Sequence, residues 1–286
     1  MKYVLIFFVI LICIFVIFVF VESYRENRII SVSRYVLESE KLTQDITAVM
    51  IADLHNSEYG KDNQELIEKI DALKPDMILV AGDSIIGKEG YTCDIAIKLL
   101  NKLGEKYRVY VGKGNHELRC AMYTEQYGDM WEQLYNGTKD KVKWLINDAV
   151  YLDENNITIY GFDMERQYYR RFKKLPMEDS CMRDALPKLN RSSYSILLAH
   201  NPDYFEEYSI WGADLSLSGH IHGGMIIFPG LGGFVSPMIR FFPKYYKGIY
   251  KNGNSRMIVS AGLGIHTFKF RVNNKPDLVY ITLNRV

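Results

Sequence analysis

Five short apolar stretches of this chain each end in a turn that carries aspartate, asparagine or histidine. Amphipathic segments separate the first three stretches, as expected for strands that alternate with helices in an α/β domain. Side chains that follow the strands of such a domain gather at one edge of the sheet. The five turns are Ala52-Asp-Leu-His55, Ala81-Gly-Asp83, Gly114-Asn-His-Glu117, Leu198-Ala-His200 and Ser218-Gly-His-Ile-His222. We therefore expect their polar side chains to form one site.

The predicted secondary structure supports a layered α/β domain over residues 46–286, a length that suits a single domain. Predicted strands lie at Ile46–Ala52, Met77–Ala81, Tyr107–Val111, Ser195–Ala199, Asp214–Leu217, Met257–Ser260 and Leu278–Leu283, with a hairpin at Val150–Asp163. Predicted helices cover 62–73, Ile95–Leu103 and Glu125–Asn147. The first begins at an N-cap at Asp62, and the last is broken near Asn136-Gly137.

The turns together predict a metal site, although each alone is explained by a helix cap or a tight turn. His220 and His222 add to this prediction, because side chains two residues apart on an extended segment point the same way. Oxygen and imidazole ligands without cysteine suit Mn, Fe, Zn or Co, with manganese favoured. Seven ligands are too many for one ion with an open position, which favours two ions. The candidate ligands are Asp53, His55, Asp83, Asn115, His200, His220 and His222.

An uncharged apolar run precedes this domain. Tyr3–Val21 would span about 28 Å as a helix, close to the thickness of a bilayer core. We expect residues 1–21 to be a single-pass membrane anchor and 22–45 a juxtamembrane tether or a continuation of the helix. A cleaved signal peptide is the alternative, but the exit at Phe20–Tyr24 has no Ala-x-Ala-like site.

Composition excludes some functions and leaves the side of the membrane open. Lys plus Arg is 35 and Asp plus Glu is 34, which argues against a protein that coats nucleic acid. Cys93, Cys120 and Cys181 form no Cys-x-x-Cys pair, so we expect free thiols rather than disulfides or a zinc ribbon. Arginines after the apolar run weakly favour a cytoplasmic domain.

The five motifs as a set resemble those of the calcineurin-like metallophosphoesterases, over about Ile46–Val286. Within that family the chain looks like the membrane-associated bacterial subgroup that includes YkuE-type phosphoesterases and UDP-2,3-diacylglucosamine hydrolase-like proteins. The closer likeness rests on Leu217-Ser-Gly-His-Ile-His-Gly-Gly224, Lys247-Gly-Ile-Tyr250, Ser260-Ala-Gly-Leu-Gly264 and Asp277-Leu-Val-Tyr-Ile-Thr-Leu283.

The resemblance implies an α/β/β/α sandwich and a dinuclear phosphoesterase. By motif, one ion would be held by Asp53, His55 and His222, the other by Asn115, His200 and His220, with Asp83 bridging them. A hydroxide between the ions would attack phosphorus in line. His116 would stabilise the transition state or protonate the leaving oxygen. The implied substrate contains phosphate in an ester or pyrophosphate bond, and a lipid-linked substrate would suit an anchored enzyme.

Two positions depart from the family pattern. The second motif of the family often reads Gly-Asp-x-x-Asp, but here Ile86 stands at the last position. The sequence therefore does not establish how the residues around the metal ligands are held in place, but metal binding is still expected. The subgroup often has Gln after Gly-Gly, where this chain has Met225.

The remaining aromatic and basic segments allow two interpretations each. The segment 234–250 could meet a membrane surface or an anionic lipid, or it could be core with snorkelling cations. Segment 168–174 is a similar patch, for which a solvated face is favoured. His266 is expected in a loop, either solvated or in contact with substrate.

Competing functions are weaker. A non-catalytic scaffold with the same fold should have lost ligands or His116, and neither loss is seen. A metallopeptidase of the His-Glu-x-x-His type and a Gly-x-Ser-x-Gly serine hydrolase lack their motifs in this sequence.

Overall fold

The structure is a computed structural model that describes residues 2–266 and 270–286. It begins with the apolar helix α1 (Lys2–Glu26), whose 25 residues are long and apolar enough to cross a bilayer. The apolar side chains of α1 are exposed, whereas Ser23 and Glu26 near its end are buried against the rest of the protein.

Strands and helices follow in an α/β order. The strands are β1 (Ser31–Ser39), β2 (Ile46–Ile51), β3 (Met77–Ala81), β4 (Arg108–Gly112), β5 (Lys143–Leu145), β6 (Asp148–Leu152), β7 (Ile157–Gly161), β8 (Tyr194–Leu198), β9 (Leu215–Ser218), β10 (Ile227–Phe228), β11 (Gly232–Gly233), β12 (Gly248–Asn252), β13 (Ser255–Val259) and β14 (Asp277–Arg285). The later α-helices are α2 (Gln64–Leu73), α3 (Asp94–Gly104), α4 (Asn115–Met122), α5 (Thr124–Tyr127), α6 (Met130–Thr138), α7 (Asp179–Ala185) and α8 (Phe205–Trp211).

The described strands form two six-stranded sheets and one short β10–β11 ribbon. The first sheet has the order β1-β14-β2-β3-β4-β5, and the second has the order β12-β13-β9-β8-β7-β6. Strands β2 to β5 run parallel to one another, as do β7, β8, β9 and β13. The carboxyl ends of these central strands therefore lie together at one edge of each sheet.

The two sheets pack face to face with helices on both outer sides. In β2, Val49 and Ile51 face a core shared with α2 and α3, while Ala48 and Met50 face the second sheet. This alternation follows from the two-residue period of a strand. On the far side, α7 and α8 cover the second sheet. The layers are α/β/β/α, which confirms the predicted fold class and the predicted central strands.

The expected tether over 22–45 needs correction. Residues Ser31–Ser39 are not a linker but an edge strand, which pairs in parallel with β14 along its whole length. The sequence concealed this strand because its side chains are mostly half-buried or exposed, so it lacks an apolar run. The folded part therefore begins well before Ile46.

The predicted helix over Glu125–Asn147 is also wrong in part. Helix α5 ends just before Gly128, which adopts a φ of 62°, and α6 runs without a break through Asn136. Residues Lys143–Leu145 form β5, because they pair with β4 at the edge of the first sheet. The predicted cap at Asp62 is absent too, since α2 begins at Gln64 without a side-chain cap on Asn63.

Candidate metal centre

The turns after five parallel strands bring the predicted site residues to one place. Turns after β2, β3 and β4 of the first sheet meet turns after β8 and β9 of the second sheet, where the two sheet edges adjoin. The predicted side chains that are almost fully buried there are Asp53, His55, Asp83, His116, His200, His220 and His222. Asn115 lines the cavity that opens above these side chains.

One group of potential ligands consists of Asp53, His55 and His222, whose ligand atoms lie within 4.8 Å of one another. Nδ1 of His55 lies 3.1 Å from the carbonyl oxygen of Ile85, to which it donates its proton. Nε2 of His55 is therefore left with a lone pair, 3.2 Å from Nε2 of His222 and 3.7 Å from Oδ1 of Asp53. Three potential ligand atoms thus face one point.

A second group consists of Asp83, His200 and His220, again with ligand atoms within 4.8 Å of one another. His200 Nδ1 lies 2.7 Å from the carbonyl oxygen of Ala81, so Nε2 faces Oδ2 of Asp83 at 3.0 Å. Within the described chain, Nε2 of His220 and Oδ1 of Asn115 are buried without any hydrogen-bond partner. Such buried unpaired acceptors are costly unless a ligand completes them.

Two carboxylates lie between the groups. Oδ2 of Asp83 is 3.0 Å from His200 Nε2 and 3.7 Å from His55 Nε2. Oδ1 of Asp53 is 3.7 Å from Nε2 of both His55 and His200, so it too faces both groups. The geometry thus allows a shared carboxylate, as two neighbouring metal ions require, but does not single out Asp83 for that role.

Burial and neighbouring charges strongly shift the pKa values of the clustered carboxyl and imidazole groups. Burial raises the pKa of Asp53 to about 7, and the nearby Asp83 carboxylate adds to the rise. Burial lowers the pKa of His55 to about 3. For His200, burial acts in the opposite direction, but the Asp83 and Asp53 carboxylates raise its pKa to about 10. Perturbations of this size in a cleft are typical of functional sites.

The residues present fit divalent metal ions. Imidazoles that donate one ring N–H to a backbone carbonyl and aim the other nitrogen at a shared point have the arrangement of metal-bound histidines. Carboxylates and imidazoles without cysteine form the kind of donor set that suits Mn, Fe, Zn or Co. Cations placed between the carboxylates would also remove their mutual repulsion.

The backbone is strained at several of the candidate ligands. Asp53, His55, Asp83, His220 and His222 all adopt φ between 45° and 70°, the left-handed region that residues with a Cβ rarely occupy. Each such residue costs on the order of 1–3 kcal/mol, and clusters of them mark functional sites. The tight turns needed to aim the side chains at one point explain the strain.

Glu117 holds the Asp83 turn in place, a role that the sequence interpretation missed. Its buried carboxylate accepts hydrogen bonds from the backbone N–H groups of Asp83, Ser84, Ile85 and Gly114 at 2.7–3.2 Å. The Asp83 turn is therefore ordered although Ile86 replaces the second aspartate of the family motif. The helix-cap interpretation of the Asn-His-Glu motif contained the signal for this role.

A buried arginine supports the other side of the centre. The guanidinium of Arg271 donates to the carbonyl groups of Ala261, Gly262 and Gly264 at 2.9–3.2 Å. Gly262 adopts a φ of 72°, and a Cβ there would lie 2.6 Å from the Cβ of Asp53. The loop can therefore pack closely behind Asp53 only with glycine at this position.

His116 lies next to the two aspartate-containing groups but belongs to neither of them. The backbone N–H of Gly87 donates to Nδ1 of His116 at 2.8 Å, so a neutral ring carries its proton on Nε2. Nε2 lies 4.0 Å from Oδ2 of Asp83, on the side of the ligand cluster. His116 therefore offers an N–H donor to a group bound at the centre.

His266 lies beside the candidate ligands, a position that favours the substrate-contact alternative from the sequence over a solvated loop residue. Its ring centre lies 4.5 Å from that of His116 and 4.8 Å from that of His55. Tyr169 is a second addition, with its ring centre 5.2 Å from that of His220. Both come from loops whose approach to the centre depends on the tertiary fold.

The centre opens into a cavity of about 760 Å³ with a basic rim. Its lining includes the arginines Arg119, Arg166, Arg170 and Arg171. Segment 168–174 thus contributes to the site and is not simply a solvated face. A pair of buried Asp/His groups at the floor of an arginine-lined cavity is an arrangement that suits metal ions and an anionic ligand.

The fold and the donor set suit a metal-dependent hydrolase. The Calcineurin-like phosphoesterase family matches residues 46–224, more than half of the chain. The chain belongs to this family, and the predicted resemblance and enzyme class are confirmed. As a family member it is a phosphoester hydrolase that uses divalent metal ions.

The chain is similar to several known proteins. YkuE of Bacillus subtilis, named an uncharacterized metallophosphoesterase, is 26% identical over 271 residues, covering 91% of this chain and 87% of YkuE. The phosphodiesterase YaeI of Escherichia coli is 26% identical over 239 residues, covering 82% of this chain and 81% of YaeI. The solved structure of the calcineurin-like phosphoesterase YfkN from Bacillus subtilis aligns at 13% identity with a TM-score of 0.44, covering 77% of this chain and 82% of YfkN.

Proposed function

We propose that the protein is a membrane-anchored phosphoesterase with two divalent metal ions, manganese favoured, that cleaves a phosphoester or pyrophosphate bond. The observation that carries this proposal is the pair of buried Asp/His groups, which face each other across two carboxylates. One group is Asp53, His55 and His222. The other is Asp83, His200 and His220, to which the unpaired Oδ1 of Asn115 adds a further ligand.

The side chains at the site have different proposed roles. Bound metal ions supply an activated water and neutralise phosphate charge. The aspartates and imidazoles would hold the metal ions in fixed positions. Glu117 holds the turn that carries Asp83, and Arg271 holds the loop behind Asp53. The Nε2–H of His116 is placed to donate a hydrogen bond to a phosphate or leaving-group oxygen, where charge develops in the transition state. The arginine rim attracts the anionic substrate.

The test of this function is metal-dependent hydrolysis by the full-length protein in detergent. Bis-p-nitrophenyl phosphate is a suitable first substrate, since YaeI, a relative, is named a phosphodiesterase. We expect turnover with Mn²⁺ that stops on chelation and returns when the metal is restored. A chain that binds the metal yet cleaves no phosphomonoester, diester or pyrophosphate would instead be a binding scaffold.

Replacing His116 with Gln should lower kcat for bis-p-nitrophenyl phosphate by about 10²-fold, because a positioned donor or acid contributes roughly 10²–10⁴. The bound metal content should stay unchanged, since His116 lies beside the two proposed ligand sets. Steady-state kinetics together with metal analysis separate these effects. A loss of metal in this variant would make His116 a ligand and contradict the assigned role.

The end of helix α1 is hydrogen-bonded to residues that support the candidate metal centre. If α1 spans the bilayer, the site therefore lies close to the membrane surface. Ser23 Oγ accepts the backbone N–H of Arg271 at 2.9 Å, and Glu26 accepts that of Asn274 at 2.9 Å. The side chain of Asn274 in turn donates to the carbonyl of His222 at 2.7 Å. The end of the apolar helix is thus joined to a ligand turn and would hold the site at a fixed height above the bilayer.

The loop over residues 227–242 lies near this junction and exposes apolar side chains. This position is consistent with a lipid-linked substrate. Ile227 accepts a hydrogen bond from Asn273 and donates one to Val272, beside the docked end of α1. Further along the loop, Leu231 and Phe241 are 72% and 62% exposed. Large exposed apolar side chains beside a membrane helix suit an interfacial position. The nearby cations are paired, as in Lys244–Glu206.

The full chain should behave as an integral membrane protein. After cell lysis we expect it to stay in the membrane pellet through washes with high salt and alkaline carbonate, because an apolar helix of 25 residues inserts rather than adsorbs. Immunoblotting of the fractions measures this. Release into the supernatant by salt alone would contradict the proposed anchor. Protease protection in intact cells would then determine the side of the domain.

A further inference from the structure

The last turn of helix α1 is buried against the folded domain, unlike the apolar part of the helix. Ser23 and Glu26 are each only 3% exposed, although they follow an uncharged run whose side chains mostly face outward. Ser23 Oγ accepts the backbone N–H of Arg271 at 2.9 Å, and Oε2 of Glu26 accepts that of Asn274 at 2.9 Å. Because a buried carboxylate is costly unless it is hydrogen-bonded, this contact holds the segment 271–274 against the helix.

Segment 271–274 in turn contacts the turn that carries His222. The side chain of Asn274, itself 1% exposed, donates to the carbonyl oxygens of His222 at 2.7 Å and of Met225 at 3.2 Å. Gly223 adopts a φ of 66°, and a Cβ there would lie 2.3 Å from Oδ1 of Asn274. The turn packs so closely onto Asn274 that a displacement of this side chain would displace His222 as well.

The same segment also supports Asp53. The guanidinium of Arg271 donates to three carbonyl groups of the loop 261–264, which packs directly behind Asp53. Asp53 and His222 belong to one candidate ligand group, together with His55. These hydrogen bonds therefore lead from the end of α1 to one of the two proposed ion positions.

The other proposed ion position has separate support. The carboxylate of Glu117 holds the Asp83 turn, and Nδ1 of His200 donates to the carbonyl oxygen of Ala81 at 2.7 Å. Neither contact passes through α1 or through segment 271–274. A disturbance at the end of the helix should therefore affect the two ion positions unequally.

We propose that the last turn of α1 is a positioning element of the candidate metal centre. Through segment 271–274, Ser23 and Glu26 fix His222 and with it the ion position of the Asp53 group. The inference rests on the proposed two-ion function and adds a second role for the anchor. The helix completes the centre as well as localising it, so its undocking should release one ion before the other.

Equilibrium binding of Mn²⁺ to the full-length protein in detergent tests this role. In Glu26→Ala the N–H of Asn274 loses its acceptor. One ion per chain should then bind as in the wild type and the second about tenfold more weakly, as is usual when a residue that orients metal ligands is lost. Glu26→Gln keeps an acceptor oxygen and should recover most of that affinity. Glu22→Ala is the matched control, because Glu22 pairs with Arg25 on the same helix, and it should bind both ions normally.

A double-mutant cycle identifies the weakened ion. In the His222→Ala background, which already lacks a ligand of the affected position, adding Glu26→Ala should weaken metal binding less than about threefold further. In the His200→Ala background it should weaken the remaining ion about tenfold. Equal weakening of both ions by Glu26→Ala alone, or the same loss in both backgrounds, would indicate a general loss of stability and would overturn the proposal.

Hydrogen exchange of the metal-free protein measures the positioning without any ion. The amides of Gly224 and Met225 form hydrogen bonds within the His222 turn. They should exchange about tenfold faster in Glu26→Ala, because losing one buried hydrogen bond shifts a local opening equilibrium by about that factor. The amide of Asp83 should exchange at the wild-type rate. Unchanged exchange at Gly224 and Met225 would overturn the positioning role. A wild type that binds no metal would instead refute the proposed function, and the exchange rates would still decide whether the helix end orders this turn.

Discussion

Replacing Asp83 with Asn should abolish catalysis by the full-length protein, with kcat/KM for bis-p-nitrophenyl phosphate falling by about 10³-fold or more. Removing one preorganised charge at a reaction centre alone costs on the order of 10²–10³. Asp83 adds a second effect, because its Oδ2 faces His200 at 3.0 Å and His55 at 3.7 Å, one from each ligand group. We therefore expect both proposed metal positions to lose affinity. Kinetics and metal analysis of the same preparation measure the two losses.

Thermal unfolding separates lost metal binding from misfolding. Metal binding near 100 Kd stabilises the wild type by about 2.7 kcal/mol, and a chain of this size should then melt about 5–10 °C higher. Without metal, the Asp83 carboxylate pairs with His200 at 3.0 Å, so the metal-free Asp83→Asn variant should melt somewhat below the metal-free wild type while still unfolding cooperatively. Its metal-induced shift should be absent. The exposed Asp184→Asn change is the matched control. Wild-type metal content in the Asp83 variant would refute the assigned role.

The second large effect is expected from Glu117→Gln. The carboxylate of Glu117 accepts four backbone N–H groups, whereas an amide offers one oxygen and turns an NH₂ group toward the remaining donors. We expect a loss of about 2–4 kcal/mol in the free energy of unfolding, since hydrogen bonds to a charged group contribute roughly 1.5–3 kcal/mol each. Activity should fall about 10²-fold because the Asp83 turn shifts.

Excess metal discriminates this positioning role from direct ligation. Saturating Mn²⁺ should restore part of the activity of the Glu117 variant, because all proposed ligands are still present, whereas the Asp83 variant should not recover. The exposed Glu132 provides the control through Glu132→Gln, with no expected change in either quantity. Wild-type stability and turnover in the Glu117 variant would show that the four hydrogen bonds do not order the turn.

The central strands and the gathering of the candidate ligands could be predicted from the sequence for a physical reason. Each ligand follows a short apolar strand directly, so local sequence fixes its place at a strand end, and parallel pairing then brings the ends together. Asp53, His55 and His222 form one group in the structure, as the motifs implied. Their roles as ligands are still a prediction that the metal measurements address.

The residues that support and surround the centre could not be predicted, because their contacts span distant parts of the chain. Arg271 reaches the loop behind Asp53 only in the folded protein, and His266 meets His55 across more than 200 residues. Strand β1 was hidden for a related reason. Its place at a sheet edge is set by pairing with β14, near the other end of the chain, and leaves little apolar pattern.

The number of metal ions bound per chain tests the central claim most directly. The full-length protein, purified in detergent with Mn²⁺ and freed of loose metal, should contain two ions per chain by elemental analysis, and removing them by chelation should abolish phosphoesterase activity. Full activity with one ion or none per chain would contradict a dinuclear centre built from Asp53, His55, His222, Asp83, Asn115, His200 and His220.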